Sequence, residues 1–412
     1  MIPRRVFPSL LKHAQDRRVS VLIGSRQVGK STLLSMLQDE LGVPFEAYNL
    51  ENPLHLALFH EGYTSFARQL RSSLVFIDEF QYCPNISSIL KALYDLRPEI
   101  KVYASGSSSL EIRSQLRESM AGRKIETVVY PFSFREWLGG QVGAPDVERE
   151  LDEPTGVDEL EAYGRLLPDF LRFGALPGLS SLVDELDKRE YLFGIYQTYI
   201  AKDIKSFLRD ESVLSFNKML SWLALHNGAQ LNKSNVAGVS GVSARQLDRY
   251  LEVLQGTFVL ALVPPLSSNK AKELVKTNKF YLYDQGVVNT IIQDFRPLEL
   301  RSDAGAIREA FVFWELTKRA DVRYAIKYWR TADGKEVDFV LEKDRALLPI
   351  EVKSGWKPGK VPPGLAAFFN YYPEVKDGVV LYDGPEYSSS DGSHTVHFAP
   401  LHKAAACLAL LP

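Results

Sequence analysis

Gly24-Ser25-Arg26-Gln27-Val28-Gly29-Lys30-Ser31 follows the apolar run VSVLI (19–23) and opens STLLSMLQDEL (31–41), whose apolar residues recur at helical spacing. The octapeptide fits G-x-x-x-x-G-K-[ST] between a strand and a helix, the setting in which this spacing forms a phosphate-binding loop. Backbone N–H groups of such a loop face the anion, and the helix N-terminus favours its charge. Lys30 adds a cation, and Ser31 offers an oxygen to Mg2+. Gly24, Ser25, Arg26, Gln27, Val28, Gly29, Lys30, Ser31 and Thr32 are therefore the expected nucleotide contacts, with ATP and Mg2+ as the ligands. The alternative is a glycine-rich turn that meets the pattern by chance.

Downstream, Leu74-Val75-Phe76-Ile77-Asp78-Glu79 reads as a buried strand that ends in two carboxylates, as expected at the C-terminal edge of a parallel sheet. Asp78 is the expected Mg2+ ligand through water, and Glu79 the group that orients or deprotonates the attacking water. Two acids that cap a neighbouring helix are the plainer alternative. A further apolar run, Ile100 to Ala104, leads into Ser105-Gly106-Ser107. Ser105, with Ser107 second, is the expected polar sensor of the terminal phosphate; an ordinary Ser/Gly turn is the competing reading. Strands separated by helix-length stretches imply a parallel sheet with crossover helices. Arg123, in SMAGRKIE, fits an arginine finger acting on a neighbouring subunit's nucleotide; a surface salt bridge explains it equally simply.

The 412 residues allow roughly two or three domains at about 150 residues each. With 49 basic against 51 acidic residues and a formal charge of -2, no global field argues for nucleic acid or an anionic membrane, so any basic surface is local. Hydrophobic content of 45% and charged content of 24% disfavour disorder and fibrous architectures. The two cysteines, Cys83 and Cys407, form no CxxC or Cys/His cluster. They therefore suggest neither a disulfide framework nor a zinc site, and fit a reducing cytoplasm. The N-terminus lacks the apolar stretch of a signal peptide and is expected to stay in the mature chain. No stretch approaches the roughly 18 apolar residues of a membrane span, so no membrane partner is expected.

Residues 1–145 are thus expected to form a P-loop ATPase core and 146–161, rich in Asp and Glu, a solvated linker or insertion. Residues 162–212 should form a helical lid interrupted by the turn FGALPG (173–178). Over 213–265, three helix-like segments and an apolar β run read as a winged helix-turn-helix. Ser243 is the N-cap of the third helix, whose Leu247, Leu251 and Leu254 share a face. Arg245, Gln246 and Arg249 lie on the opposite side, where a recognition helix would meet DNA; winged helices also serve as protein-interaction modules. Residues 266–412 read as a second α/β domain, with KFYLYD, AIKYWR, EVDFVLE, LLPIEVK and GVVLYD as strands around a helix near Gly305 to Arg319.

In order and spacing, GSRQVGKSTLL, LVFIDEFQ, the SGSS turn, AGR followed by YPFSFREWL, YIAKDI, REAFVFWEL, YWRTADGKEVDFVLE and PIEVKSG resemble the prokaryotic AAA-superfamily ATPases that carry a C-terminal domain of unknown function. The resemblance spans most of the chain. Family members generally show Thr where Ser31 stands and Pro where Ser25 stands, departures that leave the phosphate chemistry intact. The resemblance and the placement of Arg123 together lead us to expect a homo-oligomer, a hexameric ring or spiral.

A hairpin turning at Asp344-Arg345 places Asp338 opposite Glu351 and Glu336 opposite Lys353 on one face. Asp338 and Glu351 then suit a divalent metal, Lys353 suits positioning of a water for phosphodiester attack, and Glu309 on the preceding helix suits a further acidic ligand. The pattern resembles the restriction-endonuclease core, PD-(D/E)xK. Two alternatives stand beside it: a solvated charge ladder, and a nuclease-like fold that binds without cutting. The sequence therefore leads to an oligomeric ATPase acting on DNA, whose nuclease-like C-terminal domain either cuts DNA or only binds it. Its rivals are an ATP-driven switch whose C-terminal domain binds a protein partner, and a nucleotide-dependent nuclease that is not a motor.

Overall fold

The computed structural model describes residues 2–60, 63–107, 118–142, 157–198, 213–267, 277–357 and 359–412. Most of the acidic 146–161 segment, the YIAKDI stretch and the end of the expected lid lie outside the described residues. The chain divides into two compact units. The first comprises Met1–Phe132 with Leu176–Gly178 and Leu251–Val259, and the second the remainder.

In the first unit, β1 (Val19–Gly24), β2 (Phe45–Asn49), β3 (Leu74–Asp78), β4 (Lys101–Ser107) and β5 (Lys124–Val128) form a parallel sheet in the order β2-β3-β4-β1-β5. β1, β3 and β4 coincide with the three apolar runs of the sequence. β2 and β5 carry no such run, because their residues alternate or stay only partly buried. β1 is buried along its whole length, as a strand covered on both faces must be. Around the sheet lie α1 (Phe7–Lys12), α2 (Lys30–Leu41), α3 (Pro53–His60), α4 (Tyr63–Gln69) and α5 (Ile86–Leu96). Val21 and Ile23 share one core cluster with Ile89, Leu90 and Leu93 of α5.

The second unit carries α6 (Phe134–Val142), α7 (Val157–Phe173), α8 (Glu185–Ile195), α9 (Val213–Leu225), α10 (Lys233–Ser240), the first part of α11 (Ala244–Gly256), α12 (Gln285–Ile292), α13 (Ala304–Arg319) and α14 (Pro363–Tyr371). The three helices α9 to α11 stand where the sequence placed them. The β run after them, β6 (Leu260–Val263), pairs antiparallel with β7 (Lys279–Leu282). KFYLYD therefore belongs to a two-stranded sheet with β6, across the boundary expected at 265/266, and outside the C-terminal sheet. That larger sheet is mixed: β8 (Tyr324–Arg330), β9 (Glu336–Lys343), β10 (Ala346–Lys353), β11 (Asp377–Tyr382), β12 (Tyr387–Ser390) and β13 (Thr395–Pro400) run in the order β12-β13-β11-β10-β9-β8. Leu365 and Phe368 of α14 pack with Val337, Val340, Val380 and Phe398 beneath them.

The turn that ends α7 depends on one buried carboxylate. Gly174 adopts φ +83°. Asp284, the N-cap of α12, accepts the Ala175 N–H at 2.8 Å and the Val287 N–H at 3.2 Å. A Cβ on Gly174 would lie 2.2 Å from Asp284 Oδ1. Gly174→Ala therefore combines a left-handed backbone with a clash against a capping group, and should cost roughly 1–3 kcal/mol. A lowered urea midpoint is the expected result; an unchanged midpoint would show that the Asp284 contact carries no weight.

Candidate nucleotide site

All five parallel strands of the first sheet end at one edge, and the loop after β1 turns there into α2. Gln27 and Gly29 both adopt positive φ, 63° and 88°. Left-handed residues alternating with right-handed ones turn successive N–H groups to the same concave side, which makes an anion cradle. Lys30 is buried, and its ammonium donates to Gly24 O at 3.2 Å and Ser25 O at 2.8 Å. Burial draws its pKa down to about 8, against the pull of Glu79 and Asp78. Among the described residues, the buried Ser25 Oγ has no hydrogen-bond partner. A desolvated cation hydrogen-bonded to two carbonyls, beside a buried hydroxyl and an N–H cradle, fits a phosphate chain. Ser31 and Thr32 are exposed at the start of α2.

Because β4 lies between β1 and β3, the sheet brings Ser105 to Asp78. The buried Ser105 hydroxyl donates to Asp78 Oδ1, which also accepts the Glu79 N–H at 3.0 Å. Glu79 adopts φ 55°, a left-handed conformation uncommon outside glycine. Its Oε2 accepts a hydrogen bond from the Gln81 amide. The three polar groups expected to act on the terminal phosphate thus end neighbouring strands of one edge. Arg123, by contrast, donates from Nε to Asp95 Oδ1 at 3.0 Å and lies 5.8 Å from the Tyr94 ring centroid. That is the salt bridge that competed with the finger reading.

Two contributors gave no sequence signal. Arg4 donates from Nη1 to Val28 O at 2.9 Å and from Nη2 to Tyr130 O at 2.6 Å, with its guanidinium 4.8 Å over Phe132. It ties the loop to the chain after β5. Pro177, from the turn assigned to the lid, sets its Cγ 3.9 Å from the place a Gly29 side chain would occupy. Both depend on partners far away in sequence.

Elsewhere, Arg245 and Arg249 are exposed on α11, opposite the buried Leu247, Leu251 and Leu254. Gln246, half-buried, also caps its own helix. Its Oε1 accepts from Ser243 N and Ser243 Oγ, each at 3.0 Å, while Ser243 Oγ accepts from Gln246 N at 3.3 Å, which is a capping box. The capping box engages the amide oxygen of Gln246. In the C-terminal sheet, β9 and β10 pair from Ala346↔Lys343 to Ile350↔Phe339, the register expected from a turn at Asp344-Arg345. Both turn residues have positive φ, 48° and 75°, as two-residue hairpins favour. Asp338 Oδ2 accepts the Val352 N–H at 2.8 Å, and Lys353 Nζ lies 2.5 Å from Glu351 Oε2. Burial, then Asp338, pushes the Glu351 carboxyl up to about 8. Burial likewise raises Glu309. Among the described residues, no group of three or more His, Cys, Asp or Glu is arranged to hold a metal ion, and no helix is long and apolar enough to cross a membrane.

Residues 16–138 match the family profile described as an AAA domain. The match and the geometry support an AAA-type ATPase. Residues 164–298 and 304–403 match two domains of unknown function, DUF8612 and DUF4143. An uncharacterized protein of Mycobacterium tuberculosis is 25% identical over 358 residues, 86% of this chain and 74% of its own. Another, from Haemophilus influenzae, is 23% identical over 373 residues, 85% and 86% respectively. Among solved structures, the Walker-type ATPase of Pyrococcus abyssi aligns with a TM-score of 0.47 at 14% identity, covering 71% of this chain and 96% of that one. The Thermotoga maritima RuvB Holliday junction branch migration motor aligns with a TM-score of 0.31 at 17% identity, covering 66% and 95%.

The state of Lys30 supplies a pH test. Its amine loses its proton as pH rises through about 8, and a bound phosphate chain favours the ammonium. Nucleotide binding at pH 9 should therefore take up protons, whereas binding at pH 6.5 should not. Calorimetry in buffers of different ionisation enthalpy measures this, and equal heats across buffers at pH 9 would refute it.

Proposed function

We propose that the chain is an ATP-hydrolysing motor or switch acting on DNA. The observation that carries the ATPase part is the convergence of the Lys30 loop with Asp78, Glu79 and Ser105 at one sheet edge. N–H groups from Gly24 to Thr32 bind the phosphates of ATP, and Lys30 exchanges its carbonyl partners for phosphate oxygens. Ser31 and Asp78 are the residues suited to hold Mg2+, which when bound neutralises phosphate charge. Ser105 fixes the Asp78 carboxylate through its hydrogen bond. Glu79, held by Gln81, orients a water and accepts its proton as the water oxygen bonds to the terminal phosphorus and the bond to the bridging oxygen breaks. Assembly into a ring or spiral belongs to this reading only if Arg123 exchanges Asp95 for a neighbour's nucleotide.

Lys30→Ala should abolish nucleotide binding, measured by fluorescence of a labelled ATP. Glu79→Gln should keep that binding while lowering hydrolysis by roughly two orders of magnitude or more, the usual weight of a general base. Parental phosphate release by both variants would overturn the ATPase assignment.

DNA contact rests on the exposed Arg245 and Arg249 of α11. Reversing both charges should weaken duplex binding and flatten its dependence on salt, because binding with fewer phosphate contacts releases fewer counterions. Identical binding curves across a salt series would assign α9 to α11 to a protein partner.

A further inference from the structure

The second unit holds a group of charges that ATP hydrolysis does not use. Lys279 of β7 brings Nζ to 2.9 Å from Glu309 Oε1, 2.6 Å from Glu336 Oε1 and 4.0 Å from Asp338 Oδ1, with 5% of its side chain exposed. Tyr281, two residues on, donates its hydroxyl to Glu309. Arg330 Nη1 holds the other oxygen of Glu336 at 3.0 Å. Lys353 is placed beside the same face, 2.5 Å from Glu351 Oε2 and 3.9 Å from Asp338 Oδ2. Above Glu351 the backbone of α14 closes in, so that a Cβ on Gly364 would lie 2.4 Å from Glu351 Oε1.

A divalent metal needs carboxylate oxygens that converge on one point with no cation already there, because the ligand charges must be left to the metal. Here Glu309, Glu336 and Asp338 converge on an ammonium. A lysine is seldom this deeply buried unless it is paired, and three carboxylates supply that pairing. We propose that Lys279 is the tethered cation of this acid cluster: its ammonium stands where Glu309 and Asp338 would meet a divalent metal, so that the nuclease-like face is closed to metal for as long as Lys279 is in place. The lysine comes from β7, whose partner is β6 and not the sheet that carries Asp338 and Glu351. The closing group is therefore supplied by a separate element.

The test is Mn2+ titration of the full chain without nucleotide, with free Mn2+ followed by electron paramagnetic resonance and melting followed in parallel. The parent and Lys279→Arg should take up no Mn2+ at this cluster and melt at the same temperature with or without it. Lys279→Ala should gain a Mn2+ site, lose it again when Asp338→Asn is added, and melt higher with the metal present. If Lys279→Ala does not fold in metal-free buffer, refolding in Mn2+ should recover it, and failure of that recovery counts against the proposal. Mn2+ bound by the parent and lost on Asp338→Asn would overturn it, as would a folded Lys279→Ala that gains no metal.

Discussion

Ser105 donates its hydroxyl to Asp78 across two neighbouring strands, a contact made by the pairing of β3 with β4, which itself lies between β1 and β3. With the two strands adjacent, the acid at the end of β3 would face the phosphate loop directly. With β4 between them, a serine holds the acid at a set distance from the loop. The left-handed Glu79 follows from the same arrangement, since the chain leaving β3 must turn at once into the short helical turn Phe80–Tyr82. Backbone strain at Gln27 and Glu79 is thus concentrated where the phosphates are expected, and the buried strands beneath hold it in place.

The loop, the strand-end acids and the β9–β10 register were legible because each is local: a spacing, an apolar run and a two-residue turn, all read within a few positions. Arg4, Pro177 and Lys279 were not, because each acts on residues far away in the chain, and a lone arginine, proline or lysine carries no periodicity. Gln246 is a different case. Ser243 and Gln246 stand at the spacing of a capping box, so that signal lies in the sequence, and the same half-buried glutamine also fits a base-reading position on a recognition helix. The edge strands β2 and β5 escaped because they are only partly buried, so the hydrophobic pattern that marks a central strand is diluted there.

Charge balance in the second unit shows how little net charge reveals. The chain as a whole is close to neutral, yet Glu309, Glu336, Asp338 and Glu351 gather around two lysines. Each of these cations is set among more than one acid. Removing either would leave partly buried carboxylates facing one another, which costs far more than a surface pair is worth.

The clamp made by Arg4 also bears on the order in which the protein is made. Arg4 is synthesised before either of its acceptors, Val28 O and Tyr130 O, the second of them beyond the whole parallel sheet. A nascent chain that has finished the loop and α2 therefore still lacks one anchor of that loop until the segment after β5 has emerged. Tight closure of the phosphate cradle is in this way deferred until the strands that carry Asp78 and Ser105 have been synthesised.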